Sequence, residues 1–199
     1  NTFTQSVIAA PLGYGAFLDS GSNGNTISYS SVTSNTPASL AALFVSGSVL
    51  NIFTQDYIGN ANGPGASIIG NNNLISLSTL TNNSASNPAL FIAGGASSNT
   101  LTQCVIANPA GNGAYFDSNA AYNTISQSTM TGDGGIAKYG LYLSGVAWNT
   151  IVDSYVQGPN GAYIGGSTGT VIDSSSVRAT NTVGHGLWFG LGSVNLTLT

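Results

Sequence analysis

Charge is what this sequence has least of. Of its 199 residues only 4% are charged, namely Lys138, Arg178 and six Asp, and the net charge is −4 with no Glu at all. An ordinary soluble domain carries about a quarter. Two basic residues cannot form a patch that holds a phosphate backbone, which excludes nucleic acid as a partner. Cys104 is the single cysteine, so no intrachain disulfide can form and the redox compartment stays open. Long apolar runs are missing too, and none approaches the ~18 residues of a membrane-spanning helix. No secretory signal is visible and the first residue is Asn rather than Met, which predicts a processed or truncated chain. Gly, Ser, Thr and Asn fill the places that Lys and Glu usually occupy, so solubility rests on hydroxyl and amide groups.

What the sequence does have is a repeat. NTFTQSVI from Asn1 returns as NTISYSSV from Asn25, NIFTQDYI from Asn51, NLISLSTL from Asn73 and NTLTQCVI from Asn99. It continues as NTISQSTM from Asn123, NTIVDSYV from Asn149 and a degenerate GTVIDSSSV from Gly169, with a further start, NLTLT, at Asn195. The starts lie about 24 residues apart. A second block recurs between them: GAFLD, LFVSG, ASIIG, LFIAG, AYFDS, LYLSG, AYIGG and LWFGL. Residues 1–33 laid on 99–131 match at 19 of 33 positions, which predicts duplication of a four-unit block.

A unit this short cannot enclose a core, but stacked units can. Apolar residues hold the third position (Phe3, Ile27, Phe53, Ile75, Leu101, Ile125, Ile151, Val171). They also hold the eighth (Ile8, Val32, Ile58, Leu80, Ile106, Met130, Val156), with Val177 displaced by one. Five residues of straight strand would put these two columns on opposite faces, so the chain bends between them. The small residues at the sixth position (Ser6, Ser30, Asp56, Ser78, Cys104, Ser128, Ser154, Ser174) mark that corner. Asn in the first column suits a left-handed turn and can hydrogen-bond from coil to coil. Asp56 is expected to cap backbone N–H groups, and Cys104 to be a small buried corner residue.

The N-T-I-x-x-S-x-I and G-x-φ-x-φ blocks, φ being apolar, resemble the right-handed parallel β-helix family of pectate-lyase-like solenoids. The resemblance covers the whole chain. It implies one all-β domain over 1–199, with three strands per coil and roughly eight coils of about 24 residues. At about 4.8 Å per coil the stack is roughly 40 Å long. The uncapped ends predict a segment of a longer solenoid, or end-to-end or lateral self-association.

Alternation in the third strand of each coil sends one residue outward. That column reads Phe17, Phe44, Ser67, Phe91, Tyr115, Tyr142, Tyr163 and Trp188. Seven aromatics in eight coils either stack on one another or offer a platform to a glycan or a neighbouring subunit. A second outward array flanks the third position: Thr2/Thr4, Thr26/Ser28, Thr54, Ser76, Thr100/Thr102, Thr124/Ser126, Thr150 and Thr170. Such T-x-T arrays resemble those of ice-binding solenoids, although Ile52, Leu74, Val152 and Ile172 interrupt this one.

Enzymes on this fold use carboxylates, Lys, Arg or Ca2+, so the few charged residues form an alternative catalytic set. Asp153 and Asp173 are expected in one column of adjacent coils, with Arg178 nearby and His185 in Gly-His-Gly. That tripeptide resembles the GHG motif of polygalacturonases, yet their Asn-Thr-Asp, Asp-Asp and Arg-Ile-Lys signatures are missing. Gly184-His185-Gly186 also aligns with the turns Gly111-Asn112-Gly113 and Pro159-Asn160-Gly161. Asp19 and Asp117 lie four coils apart, too far to act together. The expectation is therefore a non-enzymatic extracellular or cell-surface solenoid, a stalk, filament, spacer or adhesin, with no metal or cofactor. A carbohydrate-active enzyme and an ice-binding surface are the alternatives.

Overall fold

The computed structural model describes residues 1–36 and 40–199. Among them there is no α-helix, and short strands build three parallel sheets of nine, eight and eight strands. The first sheet runs from Thr2–Thr4 to Thr197–Leu198, the second from Val7–Ala10 to Ser176–Ala179, and the third from Ala16–Leu18 to Leu187–Phe189. Every strand pairs with the strand three places along the chain, so each coil adds one strand to each sheet. This is the expected β-solenoid of about eight coils.

The core is the space between the three sheets. From Phe53 to Ile151 the third-position residues are at most 2% exposed, and from Val32 to Val156 the eighth-position residues are fully buried. The third sheet adds pairs such as Leu90/Ile92 and Leu141/Leu143, also fully buried. Burying one such Leu or Ile contributes about 1.5–3 kcal/mol. The end coils lack a neighbour on one side, and Phe3 and Leu198 are each 51% exposed.

Two hydrogen-bonded ladders hold the coils in step. The Asn25 amide Nδ2 donates to Asn51 Oδ1 at 3.0 Å, and the relay continues through Asn73, Asn99 and Asn123 to Asn149 at 2.9–3.1 Å. Each of these acceptor oxygens also takes the backbone N–H of the preceding Asn, as Asn123 Oδ1 does from Asn99. At the sixth position Ser30, Ser78, Ser128 and Ser154 each accept a backbone N–H from the coil before and donate to a carbonyl two residues back. Ser128 does so with Cys104 N–H and the Ser126 carbonyl. Asp56 caps the Ser30 N–H at 2.8 Å, but its Oδ2 is buried without a partner. Burial pushes its carboxyl pKa up. Cys104 is buried at the same corner, and burial likewise pushes its thiol up.

The left-handed backbone does not fall on the Asn column. It falls on the residue before it, including Leu50, Tyr122 and Trp148 at φ 56–60°, and on the fifth position, including Gln103, Gln127 and Asp153 at φ 49–55°. The Asn side chain can then lie inside the corner and bond along the axis, while a left-handed neighbour makes the turn.

The last full coil is displaced by one from the expected register. Val171 pairs with Thr150, Ile172 with Ile151 and Asp173 with Val152, so the coil starts at Thr170 rather than Gly169. Ile172 is therefore the core residue, Ser175 takes the corner, and Val177 sits in its column without displacement, opposite Val156. Gly169, at φ +63°, fills the left-handed slot that Trp148 fills one coil earlier. Thr170 belongs to the buried Asn column, where its Oγ1 has no partner, and not to the outward hydroxyl array. Asp153 and Asp173 are not in one column.

Candidate functional site

The third sheet places the aromatic column in register. Phe17 pairs with Phe44, then Ser67, Phe91, Tyr115, Tyr142, Tyr163 and Trp188. From Phe44 to Tyr163 both strand neighbours of each ring are buried, so the ring must point away from the core. Successive strands lie about 4.8 Å apart, which is also the separation at which aromatic rings attract. The rings consequently pack along the axis and cover one another in part. Phe17 and Trp188, at the two ends, stay 49% and 45% exposed.

Ser67, 5% exposed, divides the column in two. On one side Tyr14, Phe17 and Phe44 stack at 5.0–5.3 Å with ring planes within 28°. On the other, Phe91 meets Tyr115 at 5.5 Å, and Tyr115 meets Tyr142 edge-on at 4.9 Å and 88°. Tyr142 and Tyr163 stack at 4.6 Å and 16°, and Trp188 closes the row edge-on to Tyr163 at 5.6 Å. Tyr139 packs against both Tyr142 and Tyr163. Tyr163 lies over two glycines: a Cβ at Gly165 or Gly190 would come within 2.3 Å of its hydroxyl oxygen.

Tyr115 donates its hydroxyl to Asp117 Oδ2 at 3.2 Å. Burial, then the charge and hydrogen bond of Asp117, then Tyr142, push the Tyr115 hydroxyl up to about 12. Burial and neighbouring rings also raise Tyr142 and Tyr139. All three therefore remain protonated donors at neutral pH. The other oxygen of Asp117 accepts the Ser118 N–H at 2.7 Å, as Asp19 does from Ser20. The Asp shared by the duplicated blocks is thus first a turn cap.

The alternative catalytic set is spread over three sides of the prism. Asp153 is the left-handed corner residue between the first and second sheets, and its N–H donates to the Asp173 carbonyl. Asp173 ends a first-sheet strand, where hydroxyls of Thr199 and Ser174 hold its carboxyl below the usual range. Arg178 stands exposed on the second sheet opposite Gln157. His185 precedes the third sheet, with its N–H bonded to Asn160 Oδ1 and its ring against Trp188 at 5.2 Å. Only His185 reaches the aromatic face. Among the described residues no three His, Cys or Asp side chains gather as metal ligands, and no helix is long and apolar enough to cross a membrane.

Column-by-column reading of the sequence missed Tyr14 and Tyr139. The signal was there: each lies three residues before a column ring, as His185 does before Trp188. On the first sheet the hydroxyl columns are in register, with Ser76 donating to Thr54 and Ser126 to Thr102. Val152, Val171 and Asp173 break that array in the last coils.

Several solved structures resemble this chain, three of them as follows. The first is a variant of the periplasmic alginate epimerase AlgG, at 10% identity and a TM-score of 0.49 over 81% of this chain. A protein named as a candidate glycosyl hydrolase from Parabacteroides merdae follows, at 10% identity and 0.43, covering 88% of this chain and 79% of its own. QnrB1, a plasmid-mediated fluoroquinolone resistance protein, is 13% identical at 0.40, covering 96% and 92%. This chain spans about a third (34%) of the epimerase chain. At these identities and scores none of the three bears on which residues act here. No curated protein matches the chain. The family model described as "Right handed beta helix region" matches residues 1–143 and 91–199. With the whole chain matched and every coil built from three parallel strands, this protein belongs to the right-handed β-helix family.

Proposed function

We propose that this chain is a non-enzymatic solenoid of the cell surface or extracellular space that adheres through the aromatic face of its third sheet. The partner is a glycan or a neighbouring protein subunit. One observation carries the reading: seven rings stand in register on one sheet and point outward, and from Phe44 to Tyr163 buried residues flank each ring. Rows of outward, partly exposed rings are a recognised kind of contact surface, because rings add large apolar area at little entropic cost. Tyr hydroxyls give the longer stack donors for sugar or backbone oxygens. The charge-poor surface removes long-range steering, which suits a partner met by contact and not drawn in by field.

The test is a glycan array, together with capture of purified cell-surface fractions. Tyr115→Ala and Tyr142→Ala combined should reduce binding at least tenfold while circular dichroism still reports β-structure. Unchanged binding by that variant would remove the proposal.

A carbohydrate-active enzyme is the second reading, favoured by His185 packing on Trp188 at one end of the strip. It predicts turnover of an acidic polysaccharide, lost on His185→Ala or Asp173→Asn. No turnover with or without Ca2+ would set it aside.

A further inference from the structure

The longer ring stack differs from the shorter one in chemistry as well as length. At Phe17 and Phe44 the column carries phenyl rings, whereas Tyr115, Tyr142 and Tyr163 carry phenols in contact on consecutive coils. Phenols lose an electron and a proton far more readily than phenyl rings. Two neighbouring phenoxyl radicals combine.

We propose that Tyr115 and Tyr142 form an oxidative cross-linking site, at which a one-electron oxidant of the peroxidase class joins the two rings and staples adjacent coils. Register brings the residues opposite each other, and their rings meet edge-on at 4.9 Å and 88°. At that distance an edge of one ring stands against the face of the other, where a phenoxyl radical's unpaired electron is spread, and rotation of one ring brings the two carbons next to the oxygens together. Tyr142 and Tyr163 are closer, at 4.6 Å and 16°, but among the described residues neither of their hydroxyls donates to a carboxylate. Asp117 supplies the second requirement. Its Oδ2 accepts the Tyr115 hydroxyl, so a base is in place to take the proton as the electron leaves.

Tyr115 gives one electron to the oxidant and its phenolic proton to Asp117. Tyr142 gives a second electron and releases its proton to water. The two radicals join through a ring carbon next to each oxygen. The hydrogens on those carbons then move to the oxygens, restoring two phenols. Two electrons and two protons leave in all, and one hydrogen peroxide consumes them to become two waters. The product is a covalent tie between two coils that otherwise rely on hydrogen bonds and packing.

The sequence provides an unusually clean test. Lys138 and Arg178 are the only tryptic sites, so digestion yields 1–138, 139–178 and 179–199. A Tyr115–Tyr142 bond keeps the first two fragments together. The intact protein is treated at low concentration with a peroxidase and hydrogen peroxide, then denatured and digested. The expected results are monomer mobility, an intact mass lower by two hydrogens, dityrosine fluorescence, and 1–138 joined to 139–178. Tyr115→Phe and Tyr142→Phe each preserve the ring and should abolish the joined fragment. Tyr163→Phe should leave it, and Asp117→Asn should slow its appearance several-fold. Coupling confined within 139–178, oxygen addition at Trp188 without joining, or a joined fragment that persists in Tyr115→Phe would each overturn the assignment.

Discussion

The two ring stacks on the third sheet occupy the same column of the same scaffold, and they are different surfaces. Tyr14, Phe17 and Phe44 form a short, nearly parallel stack with one hydroxyl among three rings. Beyond Ser67 the rings alternate between edge-on and parallel contacts, Asp117 holds one of the hydroxyls, and an imidazole and an indole close the row. The backbone sets the spacing in both, so the difference lies in side chains alone. A solenoid fixes where a column stands and leaves its chemistry free to vary coil by coil. The coil starting at Asn51 is the seam. It carries Ser67 where a ring is due and Asp56 where the corner normally has Ser.

The largest expected effect comes from removing a ring in each stack. Tyr142 touches three other rings and Phe44 two. Tyr142→Ala should therefore cost about 2–3 kcal/mol and Phe44→Ala about 1 kcal/mol less, read by urea denaturation. Equal losses would mean that the extra ring contact adds nothing.

Next comes the seam itself. Asp56 has its folded pKa raised by burial, so its neutral form is favoured in the folded state. Wild-type stability is then intact below the unfolded value of 3.8 and falls as pH rises through the folded value. Asp56→Ser, which restores the corner pattern, should add about 1–2 kcal/mol at pH 7 and nothing near pH 3. A gain independent of pH would place the effect elsewhere.

Filling the seam should matter less. Ser67→Phe would join the stacks and stabilise by about 0.5–1 kcal/mol. A loss would show that the flanking rings already occupy the space. Smallest of all is Thr170→Asn, at the end of the Asn column, which would extend the amide ladder and give a buried unpartnered hydroxyl position a hydrogen bond. About 0.5 kcal/mol is expected in thermal melts.

Much of this architecture is legible in the sequence because each column repeats one physical demand. Apolar residues at the third and eighth positions mean a core on two sheets, and a ring between two apolar neighbours means an outward face. Legibility ends where a position is set by backbone conformation and not by side-chain type. Many of the left-handed corners hold Gln, Leu, Tyr or Trp, which do not advertise a positive φ as Gly24, Asn72 and Gly169 do. Thr170 illustrates the cost. Without an Asn to mark the column, Gly169-Thr170 reads like Asn-Thr, and the register slips by one. That slip alone is what placed Asp153 and Asp173 together. Tyr14 escapes because it precedes its strand, and Tyr139 because it opens its strand three residues from Tyr142, where alternation assigns the two rings to opposite faces.

The central claim, that the strip beyond Ser67 is the acting surface, is tested most directly by binding measured side by side. Wild type, Tyr115→Ala with Tyr142→Ala, and Phe17→Ala with Phe44→Ala would be applied to one glycan array at equal folded concentration. The predicted result is at least a tenfold loss in the first double variant and less than a threefold loss in the second. Equal binding by all three proteins, or the larger loss in the Phe17/Phe44 variant, would contradict it.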